Sequence, residues 1–459
     1  MGVVKLADEN IQYIKQQIED FAPIQRKMII GKRYYHQQND ILDRKKVRGA
    51  VSTNSKGEKV YHNVTDTTRA NHMLPSGFVR QQILQKVNYL INENMTLTDN
   101  IEDIEMLLPK FKKDLKRTAI KASQQIYNAW QWYVKDDVLK YKIIDPQQLI
   151  VDYKDDDKDE IKSVIRYYVK DGVDRAELYT DVEKIVYNRK KGKKWELISR
   201  GGHFDEELTD ANGNVLASNT KSFGRPPFSI LFNNDEMTTD TEPIKPFVDI
   251  YDITTSDFAN NIDDFQEIIT ILKGYGGDNP AQFLNQMKRL GAVPIDEDGD
   301  VDFKQGIIPV EARKEFLAMT RKNIFEFGMA VDVQNIATGN ATNVAIQSMY
   351  ENLNMKASQF EQELQDFWQQ VLYFLNTYYG VGFNNRLMFD KSMLMNKNDL
   401  LQGNKLEAET LALLNGLLDD ETILEIASNL DFIKKNADIS KDELINRLQS
   451  EMSAFTLEE

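Results

Sequence analysis

The chain has 459 residues, a mass of 53.0 kDa, 41% hydrophobic residues and a formal net charge of −15 at pH 7. Its length and hydrophobic content predict folded cores in more than one domain and exclude a disordered chain. The lack of cysteine excludes disulfides, thiolate metal sites and thiol redox chemistry, and it favours an intracellular folding compartment. The acidic balance argues against tight, sequence-independent binding of nucleic acid, which depends on Lys and Arg at phosphates.

Targeting and membrane signals are not found in the sequence. No apolar run reaches the roughly 18 residues that a membrane span needs, and Met1 to Leu6 lacks the apolar core of a signal peptide. We therefore expect a protein that is soluble, untargeted and without membrane contact.

The N-terminal region reads as helical. Asp8 opens an amphipathic helix that is expected to end near Pro23, and a second helical stretch follows at residues 25–37. The basic run at residues 43–48 is interpreted as a solvated loop, with phosphate contact as the alternative.

Two further helices are predicted, one within residues 71–97 and one over about 99–133. The second ends in aromatic residues, whose spacing favours core packing over a base-stacking platform. The residues concerned are Phe78, Val79, Ile83, Val87, Leu90 and Ile91 as buried positions of the first helix, and Tyr127, Trp130, Trp132 and Tyr133 at the end of the second.

Residues 138–199 change to short apolar runs separated by polar turns. This pattern predicts a meandering antiparallel sheet in an α+β region. The acidic cluster at residues 155–159 is interpreted as a solvated turn rather than a metal site, because adjacent carboxylates in a turn point in different directions.

The stretch from Pro243 to Gly380 organises the rest of the chain. Apolar residues spaced for one helix face predict a first long helix that continues to Leu272, with acidic residues on the opposite face. The apolar positions are Phe247, Tyr251, Phe258, Ile262, Phe265, Ile269 and Leu272; the acidic ones are Asp249, Asp252, Asp257, Asp263, Asp264 and Glu267.

A glycine-rich exit at residues 274–277 leads into a compact insert of mixed structure. Asp296, Glu297, Asp298 and Asp300 form an acidic hairpin turn between predicted strands at residues 292–295 and 301–304. A calcium loop is the alternative, but the later Glu of an EF-hand is missing.

Two more long helices follow the insert. Pro309 begins a helix that runs to about Val331, a polar loop covers residues 332–343, and a third helix spans 344–379. A short strand at residues 386–389 then suggests a return to the α+β region, before an acidic tail of short helices from Asp399.

Catalytic motifs are missing. The four histidines are scattered, and no phosphate-binding loop, dinucleotide fingerprint or nucleophile elbow is present. We expect no enzymatic activity, no metal and no cofactor.

Several blocks of the sequence resemble the portal proteins of tailed bacteriophages of the long-tailed siphophage type. The resemblance covers nearly the whole chain and is strongest between Phe223 and Gly380. It rests on Phe223-Gly224-Arg225-Pro226-Pro227, Phe232-Asn233-Asn234-Asp235-Glu236, Tyr251-Asp252, Ser256-Asp257, Asn260-Asn261, Asp264-Phe265, Ile308-Pro309-Val310-Glu311-Ala312-Arg313 and Asn323-Ile324-Phe325-Glu326-Phe327-Gly328, with Asp145-Pro146-Gln147-Gln148-Leu149-Ile150 and Ile165-Arg166-Tyr167-Tyr168 upstream.

The resemblance implies an α+β, mainly helical portal fold that assembles as a ring of twelve subunits around a channel for double-stranded DNA, as a head-to-tail connector. It also implies the parts of each subunit. These are a wing (1–239), a first stem helix (240–273), a small α/β clip (274–308), a second stem helix (309–331), a tunnel loop (332–343), a wing spine helix with a returning strand (344–397) and a helical crown (398–459).

The same resemblance implies partners and a location. The clip would face the terminase large subunit and later the head-completion adaptor, while the wing would face the major capsid and scaffolding proteins. The protein would be assembled in the host cytoplasm and reside in the virion at one capsid vertex.

Candidate site residues follow from these assignments. Lys314 and Arg321 lie seven residues apart, about 20° from the same azimuth of the second stem helix. They are expected either to form positive rings in the channel or to pair with acidic residues of the first stem helix. The tunnel-loop candidates are Gln334, Asn335, Thr338, Gly339, Asn340, Thr342 and Asn343, with an ordinary helix connection as the alternative, and the clip candidates for partner binding are Asp296, Glu297, Asp298 and Asp300.

Two other functions stay open at this point. One is a ring-forming helical scaffold or adaptor that does not pass DNA. The other is a metal-dependent nuclease, since carboxylates are plentiful even though no pair is singled out.

Overall fold

The computed structural model describes residues 2–45, 47–53, 59–65, 70–154, 160–209, 215–264, 269–273, 300–304, 310–332 and 343–391. Two compact units divide the chain, one of residues 1–332 and 352–390 and the other of residues 333–351 and 391–459. The described part of the second unit is residues 343–351, which begin the last long helix, and Lys391. Within the described ranges, no helix is long and apolar enough to cross a membrane.

Along the chain, long helices precede and follow a β-rich middle. Among the described residues the α-helices are α1 (Gly2–Tyr35), α2 (Phe78–Leu90), α3 (Ile101–Leu107), α4 (Phe111–Gln125), α5 (Lys245–Asp264), α6 (Val310–Phe327) and α7 (Asn343–Tyr379). Short 3₁₀ helices lie at Asp40–Asp43 and Pro146–Gln148.

The strands alternate with tight turns through most of the chain's first half. They are β1 (Val47–Thr53), β2 (Lys59–Thr65), β3 (Thr96–Leu97), β4 (Tyr127–Lys135), β5 (Val138–Ile144), β6 (Leu149–Tyr153), β7 (Ile161–Lys170), β8 (Val173–Tyr179), β9 (Lys184–Lys190), β10 (Glu196–Gly201), β11 (Phe204–Thr209), β12 (Val215–Lys221), β13 (Phe228–Phe232), β14 (Ile269–Lys273), β15 (Asp300–Lys304) and β16 (Leu387–Met388).

The largest sheet is the predicted antiparallel meander. Strands β6 to β10 pair in the order β10-β9-β8-β7-β6, and a second sheet has the order β13-β4-β5. The remaining pairs are β1–β2, β11–β12, β14–β15 and β16–β3. The predicted strand after α7 is confirmed as β16, but it pairs with β3 at Thr96–Leu97 rather than with the region of residues 138–199 to which a return was predicted.

The first helix is continuous, so the predicted break near Pro23 is wrong. Pro23 lies inside the 34-residue α1, although a proline removes one helical hydrogen bond. Phe21 and Met28 on either side of it are buried in the same core as the large sheet, whereas Pro23 itself is exposed. Packing of the flanking turns therefore holds the helix together across the proline.

The predicted helix over residues 99–133 is interrupted at residues 108–110 and ends early. Helix α3 ends at Leu107 and α4 ends at Gln125, and Ile126 adopts a positive φ of 74° at the turn into β4. The aromatic residues that follow favour a strand, where their rings pack against neighbours on the sheet. Their interpretation as core residues is confirmed, because Trp130 and Trp132 are fully buried and Trp130 stacks on Tyr141 at 4.0 Å.

The first stem helix is shorter than predicted. Helix α5 ends at Asp264, and Ile269 to Lys273 form β14, which pairs antiparallel with β15. Ile269, Thr270 and Ile271 are β-branched, which favours a strand although their spacing also fits a helix. The other two long helices, α6 and α7, are found where they were predicted.

Two hydrophobic cores hold these helices and strands together. One joins α2, α4, α6 and α7 around Trp130, Trp132 and Trp368, and the other joins α1 to the large sheet around Tyr127 and Tyr187. The helix pair α5 and α6 is therefore attached to the first core.

Candidate functional site

Helices α5 and α6 form an antiparallel pair. The Phe247 and Phe327 rings stack at 5.0 Å where α5 begins and α6 ends, and the Arg313 guanidinium lies 5.6 Å from the Phe258 ring farther along. Phe78, at the start of α2, contacts Tyr251 of α5 edge-on at 5.0 Å. The pair is thus joined to the body at the end that contains Phe247 and Phe327.

An extended segment of residues 70–77, here called the strap, runs along a second face of α5. Backbone N–H groups at every second strap residue donate to α5 side chains at every fourth residue. His72 N donates to Asn260 Oδ1 (2.6 Å), Leu74 N to Ser256 Oγ (3.0 Å) and Ser76 N to Asp252 Oδ1 (2.9 Å). Four helical residues rise about 6 Å and two extended residues about 6.6 Å, so the two repeats match.

The strap contacts were not predicted from the sequence. Asp252, Ser256 and Asn260 are buried, although Asp252 was predicted to lie on the acidic face opposite the apolar residues. Their spacing of four residues places them on one face of the helix, and it could have indicated a polar face that accepts hydrogen bonds from backbone N–H groups. Asn39 completes this polar face, since its Nδ2 donates to Asp252 Oδ2 at 2.5 Å.

Three other acidic residues of α5, Asp249, Asp257 and Asp263, also have partners. The Arg44 guanidinium holds both oxygens of Asp257, at 2.9 and 3.2 Å, and His72 Nε2 contacts Asp263. Tyr34 and Lys245 both donate to Asp249. The predicted acidic face of α5 is therefore directed toward the strap and the N-terminal region.

The two candidate cations of α6 differ in their surroundings. Arg321 makes two hydrogen bonds of 2.7 Å to the Asp332 carboxylate, and these raise the pKa of the guanidinium further. Its partner is thus the first residue of the predicted tunnel loop rather than an acid of α5. Lys314 is exposed and, within the described ranges, forms no ion pair. Their orientation toward a channel stays a prediction, since one subunit defines no axis.

The end of α6 is fixed up to the start of the tunnel loop. Gln82 Nε2 donates to the Ile324 carbonyl at 3.0 Å, and the Gln85 amide both donates to the Val331 carbonyl (2.8 Å) and accepts from Val331 N (3.3 Å). Of the candidate loop residues, Asn343 begins α7, while Gln334, Asn335, Thr338, Gly339, Asn340 and Thr342 lie outside the described residues.

A buried ion cluster lies beneath this junction. The carboxylate of Asp240 is 2.8 Å from Lys86 Nζ and 3.4 Å from Lys356 Nζ, and all three side chains are largely or fully buried. Lys86 also donates to Asn233 Oδ1 at 2.7 Å, and Lys356 donates to the Gly328 carbonyl at 3.0 Å. The cluster connects α2, the segment before α5, the end of α6 and the spine helix α7.

The pKa values of Lys86 and Asp240 are both lowered, which favours the neutral form of the lysine but the ionised form of the carboxylate. Burial lowers the pKa of Lys86 to about 8. For Asp240, burial acts to raise the pKa, but the two lysines outweigh it and lower the pKa to about 2. At neutral pH the cluster therefore contains an ionised carboxylate between two lysines.

The clip candidates fall mostly outside the described residues. Asp296, Glu297 and Asp298 are among the residues that the structure does not describe, and Asp300 begins β15 opposite Lys273. Their role in partner binding stays a prediction.

Among the described residues, no three side chains of His, Cys, Asp or Glu converge to hold a metal ion. A cleft of about 580 Å³ runs beside α7 and is lined chiefly by amides, including Gln362, Gln365, Gln369 and Asn384. The described region thus offers hydrogen-bonding surfaces and rigid helices.

A family profile and two known relatives each match most of this chain. The sequence profile of the family described as "Phage portal protein, SPP1 Gp6-like" matches residues 15–450. The portal protein of Bacillus phage SPP1 is 26% identical over 419 residues, which cover 87% of this chain and 80% of the relative. The portal protein of Clostridium phage phiCD119 is 26% identical over 417 residues, covering 85% and 87%.

Solved structures show a more distant likeness. A chain from the virion of a native gene transfer agent particle has a TM-score of 0.43 at 11% identity, covering 76% of this chain and 89% of that one. A chain from the neck of a native particle of the same kind, computed with C12 symmetry, has a TM-score of 0.42 at 11% identity, with the same coverage. A likeness of this size assigns nothing to this chain.

Proposed function

The chain belongs to the phage portal protein family of the SPP1 Gp6-like type, and on that premise we propose that it forms a ring of twelve copies at one vertex of a phage capsid. The ring encloses the channel through which double-stranded DNA is packaged and later ejected. The observation that carries this proposal is the family match over residues 15–450, which includes helices α2 to α7 whole and most of α1.

The geometry of the helix pair supports a role as channel wall. Asp249, Asp257 and Asp263 of α5 are held by Arg44, His72, Tyr34 and Lys245, and the end of α6 is fixed by Gln82 and Gln85. A wall that DNA passes at speed needs a rigid surface without a dense array of free cations, because Lys and Arg at phosphates provide tight binding.

The partners follow from the same assignment. The terminase large subunit and then the head-completion adaptor dock at the clip, and the major capsid and scaffolding proteins contact the wing. The protein is a structural component of the virion that is assembled in the host cytoplasm, and the work of translocation belongs to the partner motor.

Electron microscopy of the purified full-length protein tests the proposal. We expect rings with an open channel of about 20 Å or more, the width that a DNA duplex requires. Monomers only, or closed discs, would contradict it.

A further inference from the structure

Four positively charged side chains of the large sheet and of β5 gather around one carboxylate. The oxygens of Glu177 in β8 lie 3.0 Å from Arg175 Nε, 3.9 Å from Arg166 Nη1 and 4.0 Å from Lys184 Nζ. Lys142 of β5 belongs to the same group: burial lowers its pKa, and the charges of the three other cations lower it further. We call Lys142, Arg166, Arg175 and Lys184 the cation cluster.

The strand register brings three of these cations to one face of the large sheet. Arg166 of β7 lies opposite Glu177, and Lys184 of β9 lies opposite Tyr179. Arg175, Glu177 and Tyr179 alternate along β8 and therefore point to the same face. The side chains of Arg166, Arg175 and Lys184 are 17%, 35% and 35% exposed, so the cluster is recessed but open to solvent.

The hydrogen bonds of Glu177 come mainly from neutral groups. Tyr168 donates to its Oε1 at 2.9 Å, and Tyr179 donates to its Oε2 at 2.6 Å. Of the cations, only Arg175 comes within hydrogen-bond distance of this carboxylate. Four positive charges thus meet one negative charge, which leaves a formal local charge of +3 among the described residues.

The cluster keeps donor groups that the described chain does not use. Arg166 Nε is shielded from solvent and has no hydrogen-bond partner among the described residues, while its Nη2 makes a long bond of 3.4 Å to Gln148 Oε1. The same guanidinium lies 4.4 Å from the centre of the Tyr168 ring, which restricts its orientation. Lys142 is exposed and, within the described ranges, forms no ion pair.

An anion with several oxygens suits this arrangement. Guanidinium and ammonium groups form strong, charge-assisted hydrogen bonds to phosphate, and arginine can offer two donors at once. Like charges in a partly desolvated place also repel one another, and a bound anion relieves that repulsion. The chain as a whole has a net charge of −15, so the cluster is a local feature rather than part of a general basic surface.

We propose that the cation cluster is a binding site for a phosphate group. The site lies on the large sheet, so this inference goes beyond the proposed function and does not depend on the helix pair or on the ring.

Binding of inorganic phosphate to the purified full-length protein tests the site. Low millimolar phosphate should raise the melting temperature more than chloride of the same ionic strength does, because a ligand that binds only the folded chain stabilises it. Lys142→Gln removes an exposed cation of the cluster and should raise the dissociation constant for phosphate, measured by isothermal titration calorimetry, at least about ten-fold. Lys193→Gln, in the exposed turn after β9, is the matched control and should bind phosphate like the wild type.

A variant of opposite sign separates binding from a structural effect. Glu177→Gln removes the negative charge of the site, while its side-chain oxygen can still accept a hydrogen bond from a tyrosine. Phosphate should then bind at least about three-fold more tightly than to the wild type, because a repelling charge is gone. Weaker phosphate binding by Glu177→Gln would count against the site.

Short duplex DNA identifies the source of the phosphate group. Fluorescence anisotropy of a labelled duplex that Lys142→Gln weakens, and with which inorganic phosphate competes, would assign the site to the DNA backbone. Phosphate binding that depends on Lys142 without any binding of the duplex would assign it to the free anion. No effect of phosphate beyond that of chloride, or an equal effect in Lys142→Gln, would overturn the inference and leave the portal ring standing.

Discussion

At the scale of single residues, Lys86, Asp240 and Lys356 form a buried ion cluster near the helix pair. Three charged groups share a site from which water is excluded, and Asn233 donates an additional hydrogen bond to Asp240 at 2.9 Å. Buried ion groups of this kind are stable only as a complete set, because each charge removed leaves its partner without compensation.

Replacing Asp240 by Asn should therefore be strongly destabilising. We expect a loss of about 3–5 kcal/mol in the free energy of unfolding at pH 7, measured by urea denaturation, because two lysines would remain buried without a counter-charge. Glu326→Gln, which removes an exposed partner of Lys322, should change it by less than about 0.5 kcal/mol. Equal effects from both variants would contradict the interpretation.

The stability that Asp240 contributes to the folded chain depends on pH through the pKa of its carboxyl group. The folded-state pKa is lowered from 3.8 to about 2, so the stabilisation is present above pH 3.8 and is lost as the pH falls toward 2.

Glu363 of α7 should give a pH dependence of the opposite sign. Burial, aided by the neighbouring carboxyls of Asp235 and Asp366, raises its pKa from 4.5 to about 8. The folded chain then keeps a proton that the unfolded chain releases, so stability falls as the pH rises from 4.5 to 8. Thermal unfolding of Glu363→Gln should show a smaller decrease across this window than the wild-type chain does, while Glu326→Gln should follow the wild type. A decrease in Glu363→Gln as large as in the wild type would count against this assignment.

The Asp240 cluster was not predicted from the sequence, although the position of Lys86 in α2 gave an indication of it. Lys86 stands within the apolar spacing of α2, between Ile83 and Leu90, on a helix face that was correctly predicted to be buried. A lysine on such a face requires a buried acid, but nothing local identifies Asp240, which lies more than a hundred residues away in the sequence. Long-range partners of this kind depend on the tertiary fold.

At the scale of whole elements, periodicity located the long helices but not all of their ends. The positions of α2, α6 and α7 were predicted from sequence, and so was the buried face of α2, since packing and spacing agree there. Residues 269–273 and 127–135 instead satisfied helical spacing while carrying β-branched or aromatic side chains, and the strand partner decided their conformation. In helix α1 the local signal was also misleading, but in the other direction. The packing of Phe21 and Met28 keeps the helix continuous although Pro23 disfavours it.

The proline in α1 provides a test of that balance. Pro23→Ala restores a backbone donor inside a continuous helix at an exposed position, so we expect the free energy of unfolding to rise by about 1–3 kcal/mol. The measurement is urea denaturation, with Glu19→Ala, another exposed position of α1, expected to stay within about 0.5 kcal/mol of the wild type. A loss of stability in Pro23→Ala would mean that the packing of Phe21 and Met28 depends on the proline.

At the scale of the whole molecule, the family was recognisable from the sequence because its characteristic blocks are spread along the chain. The family match covers residues 15–450 and agrees with the resemblance seen in those blocks. The clip and tunnel-loop residues were proposed from that order alone, and most of them lie outside the described residues. Their roles depend on neighbouring copies and partners, which a single sequence does not specify.

The tunnel loop has a direct functional test. Gly339→Arg introduces a bulky cation into a loop of short neutral side chains, where it would bind passing phosphates. We expect DNA packaging to fall at least about ten-fold, a change of about 1.4 kcal/mol, while ring assembly seen by electron microscopy stays intact. Gly382→Arg is the matched control, because no atom lies within 4 Å of a side chain added there. Normal packaging by Gly339→Arg would count against a channel-lining loop.

The match between the strap and α5 fixes where the strap lies along the helix. Because the bonding N–H groups recur every second residue, a shift of the strap by one residue would turn all of them away from Asp252, Ser256 and Asn260. The strap can therefore move along α5 only in discrete steps of about 6.6 Å, each of which would leave a buried polar group without a partner. The contact thus sets the height along α5 at which the strap ends, and so the position at which α2 begins with Phe78 beside Tyr251.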